Sequence, residues 1–231
     1  MRVSSRSKKT VRKPAEPRPG PPGGKRDQNR KARTKQLLDA GLVLFLRRGV
    51  ESVTIDEIVE EAKIAKGSFY RYFDDKSALV AALFEPMRAR MAEAFAVSDR
   101  EIAAATTSET LNAAYVHIGE LIGAALLEAP DVARLYLQEC RSPATGTRAP
   151  IREMADWIDD QAEHLTRVAH DRGLLRPFEG RVSCRVVVGA VEKLVFAVLS
   201  GKDLGNPLEI PGALITMVMD GLKPTSSSSS S

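Results

Sequence analysis

The stretch TIDEIVEEAKIAKGSFYRYF, residues 54–73, decides how this chain folds. Thr54 stands three residues before Glu57, with Ile58 and Val59 following, which is the capping-box spacing that opens a helix. A short helix is expected over Ile55–Ala62. Ile64 can pack beneath the turn that follows, and a second short helix is expected over Lys66–Phe73. In that helix Phe69 and Phe73, four residues apart, share a face, while Ser68, Arg71 and Tyr72 point elsewhere. An anchoring face is thereby separated from a polar face that can read a surface.

Working outward, Leu38, Leu42 and Phe45 fall at i, i+4 and i+7 between residues 30 and 49, one stripe of an amphipathic helix that Gly49 ends. On the other side Asp74 and Asp75 cap a helix carrying Leu79, Leu83 and Met87 on one stripe. Two short helices joined by a tight turn and braced by longer ones can deliver a small helix into a DNA major groove. Net charge adds little, since residues 27–82 hold ten basic side chains against nine acidic ones. The basic ones gather at the start of the first helix and around the turn, and Glu57, Glu60 and Glu61 belong on a face turned away from phosphates.

The 231 residues are 43% hydrophobic, enough to bury a core and to exclude a wholly disordered chain. Unbroken apolar runs are short, such as Leu42–Leu46 and Val186–Val191, far below the roughly 18 residues of a membrane span, and no secretory signal is expected at the N-terminus. The expectation is a cytoplasmic protein with no membrane partner. Cys140 and Cys184 are too few and too far apart for a disulfide framework or a metal site and read as core residues. The first 26 residues carry nine basic side chains against Glu16 alone, with five prolines and three glycines. They read as a disordered basic tail, either a salt-sensitive phosphate-binding arm or a solubilising one. Residues 223–231 read as a disordered Ser-rich tail.

Residues 37–83 resemble, without a gap, the N-terminal DNA-binding domain of the TetR family of transcriptional regulators. The residues that carry the resemblance are Phe45, Gly49, Thr54, Ile58, Ala62, the run Lys66-Gly67-Ser68-Phe69-Tyr70, Tyr72-Phe73, and Lys76 with Leu79. The resemblance implies an all-α protein in which residues 27–82 form a three-helix helix-turn-helix domain and residues 83–222 a helical effector-binding and dimerisation domain. It implies that Lys66, Gly67 and Ser68 begin the recognition helix, with Gly67 permitting close approach to the duplex. Tyr70 and Tyr72 would contact phosphate or bases, and Arg71 could read guanine. Thr54 would touch backbone phosphate as well as capping its helix, and Lys76 would pin the same strand. Three positions depart from the family pattern: Lys63 stands at the usual turn glycine, Val59 at a frequent alanine and Ala65 at a common capping serine.

Beyond residue 83, helical stripes are expected at 84–97, 107–128, 130–141, 149–173, 180–201 and 207–221, with Pro130, Pro150 and Pro207 at helix starts. The helix of residues 180–201 is apolar nearly all round and must be covered on two sides. Val187, Gly189, Ala190, Leu194, Ala197 and Val198 are therefore candidates for a homodimer interface, as the family resemblance also implies. Two heads related by a two-fold axis would read a palindromic operator. Tyr115, His117, Tyr136, Met154, Trp157 and Phe196 are candidates to line a cavity for a small lipophilic effector, plain core packing being the alternative for each. Pro86 inside the fourth helix deprives the Ala82 carbonyl of its amide partner and is the expected hinge between head and body. No cofactor, metal ligand set or catalytic motif is expected: His117, His164 and His170 are the only histidines, and neither HExxH, GxSxG nor a phosphate loop occurs. The functional expectation is a dimeric repressor released from DNA by an effector; a fold-retaining adaptor that no longer binds DNA is the rival.

Overall fold

The computed structural model describes residues 24–143, 145–175, 179–207 and 209–222, and these are helical throughout, without strands among the described residues. The basic tail over residues 1–23 and the Ser-rich tail over 223–231 lie outside the described residues. The helices run α1 (Lys25–Arg48), α2 (Ile55–Glu61), α3 (Lys66–Phe69), α4 (Lys76–Ala104), α5 (Ser108–Glu128), α6 (Pro130–Glu139), a 3₁₀ turn (Gly146–Arg148), α7 (Ala149–Asp171), α8 (Gly180–Leu199) and α9 (Ile210–Leu222).

Helices α1 to α3 and the start of α4 close around one core, in which Leu37, Phe45, Val53, Ile58, Phe69 and Leu79 are fully buried. At Gly41 a Cβ would come within 2.9 Å of the Leu79 side chain, so the closeness of α1 to α4 depends on that glycine. In the body α4 packs on α5 and α7, α8 on α7 and α6, and α9 on α5.

Several boundaries differ from the sequence expectation. Lys25 and Arg26, grouped with the tail, are the first residues of α1, stabilised by the Asp27–Lys31 ion pair one turn on (3.0 Å). Helix α3 stops at Phe69 rather than Phe73, because Arg71 and Tyr72 donate to the carbonyls three residues back, Ser68 and Phe69, and tighten the last turn. The fourth helix and the stripe expected at 84–97 are one helix, α4, which continues through Pro86 as far as Ala104. One lost hydrogen bond is outweighed there by the burial of Leu83, Met87 and Met91 on either side. Pro130 and Pro150 sit in the first turns of α6 and α7 as expected, but Pro207 lies in the turn before α9, and Pro211 takes the helix-start position.

Helix α5 corrects the reading that no helix has the length and composition to cross a membrane: its 21 residues reach a mean hydropathy of 1.3 over an 18-residue window. Polar residues interrupt its apolar runs, which is why unbroken runs undercounted it. Its apolar surface meets α4, α9 and the cavity described below.

Candidate nucleic-acid interface and effector cavity

Helix α2 begins at a closed capping box. The Thr54 hydroxyl accepts from the Glu57 amide (3.3 Å), while the Glu57 carboxylate accepts from the Thr54 amide (2.7 Å) and hydroxyl (2.8 Å). Arg48, at the end of α1, pairs with the same carboxylate at 2.8 Å. The Thr54 backbone N–H, then Arg48, then the Thr54 hydroxyl stabilise the anion and hold the Glu57 carboxyl down at about 2.

Around α3 the two faces separate as their spacing requires. Phe69 and Phe73 are buried with ring centroids 5.8 Å apart. Tyr70 is 54% exposed with its ring edge on Phe69, Arg71 is exposed, and Ser68 and Tyr72 are half-buried. Gly67 has open space where a Cβ would stand, with no atom within 4 Å, so the fold itself makes no demand for glycine there. Lys66 bridges to Asp56 at the start of α2 through both carboxylate oxygens (2.6 and 2.8 Å), which raises its pKa and ties the recognition segment to its partner helix. The turn between them places Lys63 at φ 53, the one non-glycine left-handed residue among those described.

Lys76, a phosphate contact in what the resemblance implies, is placed against the chain's own backbone. Its ammonium donates to three backbone carbonyls of the α1–α2 loop, Val50 (2.9 Å), Glu51 (3.1 Å) and Val53 (2.6 Å), and partial burial lowers its pKa. Three donors meet three acceptors, so the group staples the loop instead of reaching outward. The same loop is held from the body: Glu139 on α6, buried, accepts from the Val50 amide (3.0 Å) and from Arg148 (2.6 Å). This head-to-body link was not foreseen, and at a separation of 89 residues no local pattern announces it.

The body encloses a partly open cavity of about 240 Å³ between α4, α5, α6, α7, α8 and α9. Of the six residues nominated from sequence, Tyr115 and Tyr136 line it. The other four are placed elsewhere. Met154 is buried in the core, and His117 pairs with Glu101 at 3.0 Å. Trp157 lies edge-on to Phe95 (5.6 Å) with the Arg88 guanidinium 5.4 Å from its ring centre. Phe196 is 40% exposed and faces outward. On α7 the cavity takes Ile158, Ala162 and Leu165; Trp157, one residue earlier, is turned by about 100°. Wall residues the sequence did not single out include Met87 and Met91, Ile122 and Leu126, and Val188 and Val191.

The residues nominated for a dimer interface lie on different sides of α8. Val187, Leu194 and Val198 face the cavity, and Ala197 is buried, whereas Gly189 and Ala190 are half-buried. The exposed apolar residues of α8 are Val182, Val186 (61% exposed) and Phe196, on a side that also carries half-buried Gly189 and exposed Lys193; on α9 Met217 is exposed. A helix that is apolar nearly all round cannot be phased from its sequence, since any rotation buries about as much. Burial pushes the Cys140 thiol up to about 11 and raises that of Cys184 as well. Among the described residues no three His, Cys, Asp or Glu side chains stand together as a metal site.

Residues 37–83 match the family model for bacterial regulatory proteins of the tetR family. The transcriptional regulator AcuR of Cereibacter sphaeroides is 40% identical over 72 residues, 31% of this chain and 32% of that protein. The transcriptional repressor KstR2 of Rhodococcus jostii is 35% identical over 60 residues, 26% of this chain and 29% of that protein. The aligned part thus spans about a third of the length of these curated relatives. Over a longer span the fold is similar to that of the transcriptional regulator FadR from Bacillus subtilis, solved in complex with stearoyl-CoA. There the TM-score is 0.62 at 15% identity, covering 81% of this chain and 98% of that one. A TetR-like transcriptional regulator from Rhodococcus sp. RHA1 gives a TM-score of 0.59 at 19% identity, covering 82% and 96%.

Proposed function

Because residues 37–83 match the family model for bacterial regulatory proteins of the tetR family, we propose that the chain is a sequence-specific DNA-binding transcriptional regulator of that family. In this reading it is a dimeric, cytoplasmic repressor that a small lipophilic effector releases from a palindromic operator. The observation that carries the reading is the outer surface of the α3 segment. Gly67, Tyr70 and Arg71 lie exposed on a segment anchored by buried Phe69 and Phe73; Tyr70 rests one ring edge on Phe69 and leaves the rest of its side chain to solvent. An exposed tyrosine, a free arginine and a glycine that allows close backbone approach form a surface suited to a major groove. Lys66, Ser68 and Tyr72 flank it, and Thr54 stands at the neighbouring helix start. Both curated relatives described above are named transcriptional regulators, which supports the same class and no enzymatic role.

The body supplies the other parts. The exposed side of α8 with Met217 is the surface for a second copy, and a dimer sets two recognition helices in successive major grooves. The 240 Å³ cavity is the effector site. Two connections run from it to the head: α4, whose wall residues Met87 and Met91 lie just beyond Pro86, and α6, where Glu139 holds Val50. Residues near 82 mark the passage from head to body.

Binding of the purified protein to DNA flanking its own coding sequence, as a salt series, tests the reading. The full chain and a form beginning at Gly24 are compared. Saturable binding of a dimer that survives competitor DNA is expected, with a shallower salt slope for the shortened form. Weak binding that vanishes with residues 1–23 would exclude sequence reading by α3.

A further inference from the structure

Among the described residues lining the cavity, Glu192 alone carries a formal charge, and the rest of the wall is apolar apart from a few hydroxyl and thiol groups. The carboxylate is 15% exposed and firmly oriented. The Tyr136 hydroxyl donates to Oε1 at 3.0 Å, the Cys140 thiol approaches the same oxygen at 3.8 Å, and Arg141 donates to Oε2 at 2.9 Å. Two carboxylate oxygens offer about four acceptor sites, so capacity remains for a further donor.

The arrangement is lopsided in charge. Arg141 is 71% exposed, so water and salt screen its cation; the carboxylate it pairs with, 15% exposed, stands between the apolar cavity and a smaller outer hollow that it shares with Arg141, Lys193 and Phe196, and on the cavity side charge is screened less. Among the described residues no lysine, arginine or histidine lines the cavity to receive an anion. Burial, reinforced by Glu192, drives the Tyr136 hydroxyl far above its ordinary pKa, so it stays a neutral donor fixed on Glu192. On α5, the Tyr115 hydroxyl has no hydrogen-bond partner among the described residues, and burial keeps it protonated too. The described cavity wall therefore presents one oriented anion, a few neutral hydroxyl and thiol groups and an otherwise hydrocarbon lining.

Resting on the reading of this cavity as the effector site, we propose that its ligand is a lipophilic amine, cationic at neutral pH. The ammonium group sits at Glu192, and the hydrocarbon part lies along Met91, Ile122, Leu126 and Val191. An anionic amphiphile would set two negative charges together in an apolar surrounding, where their repulsion is strongest. A neutral one would forgo the charge-assisted hydrogen bond that Glu192 offers.

Three probes with the same chain and different heads test this: octylamine, 1-octanol and octanoate, titrated calorimetrically into the full-length dimer. Trp157, the only tryptophan, reports occupancy by fluorescence through Phe95 on the cavity wall. Octylamine is expected to bind about tenfold or more tighter than octanol, and octanoate weakest. Glu192→Gln keeps the shape and the acceptor for Tyr136 and should erase the preference for the amine. Arg141→Ala, at an exposed position, should enlarge it. Equal binding of all three probes, or an amine preference that survives Glu192→Gln in a folded variant, would overturn the ligand class while leaving the cavity as an effector site. Failure of all three probes to bind would overturn the effector-site reading itself, and the proposal with it.

Discussion

Replacing Lys76 by methionine separates two roles that the lysine could hold in the same domain. In the structure the ammonium makes three charge-assisted hydrogen bonds of 2.6 to 3.1 Å to the carbonyls of Val50, Glu51 and Val53. A bond of this kind contributes about 1.5–3 kcal/mol. The three are not additive: Glu51 is exposed and its carbonyl can turn to water, and the partly buried ammonium recovers its hydration on unfolding. Methionine keeps the aliphatic stem, so a net loss of about 2–4 kcal/mol is expected, or about 5–15 °C in Tm for a chain of this size. Thermal unfolding followed by circular dichroism measures it. DNA binding as a function of salt supplies the second axis. A loosened loop lowers affinity through the α2 position and leaves the slope of log K against log salt unchanged. A lost phosphate contact would instead reduce the slope by about one. An unaltered Tm together with a slope reduced by about one would refute the staple and restore Lys76 to the duplex.

Gly67→Ala should leave stability equal or slightly higher, since the site has no neighbour within 4 Å and alanine is the better helix former, yet weaken operator binding by about 1 kcal/mol or more; unfolding and binding curves on one sample check both halves. The Glu57 carboxyl is held at about 2 in the folded chain against an ordinary value of 4.5, so its stabilising effect is complete above about 4.5 and is lost as pH falls from there towards 2. Urea midpoints across that window should decline less steeply in Glu57→Gln than in the parent. Val186→Arg, on the exposed side of α8, should convert the dimer to a monomer in analytical ultracentrifugation and lower affinity for a two-half-site operator by about a hundredfold; an intact dimer would move the interface off that side.

What the sequence determined by itself was local. The Thr54–Glu57 spacing foretold a capping box because both partners lie within one helical turn, and Phe69 with Phe73 foretold the anchored face of α3 for the same reason. Lys63 at the turn foretold a left-handed residue only through the glycine that the family pattern puts there; the structure gives φ 53 without removing the turn. Tertiary structure decided everything that depends on which side of a helix meets which neighbour. Apolar nearly all round apart from Arg181, Arg185, Glu192 and Lys193, α8 left Val187, Leu194 and Val198 fit for a dimer face or a cavity wall, and packing on α7 and α6 turned them inward and sent Phe196 out. The target of the Lys76 ammonium lies 23 to 26 residues away, and Glu139 meets Val50 across 89. Such contacts leave no periodic trace, because helical repeats record only interactions within a turn or two, while the direction of a long side chain is settled by the acceptors the folded chain brings to it.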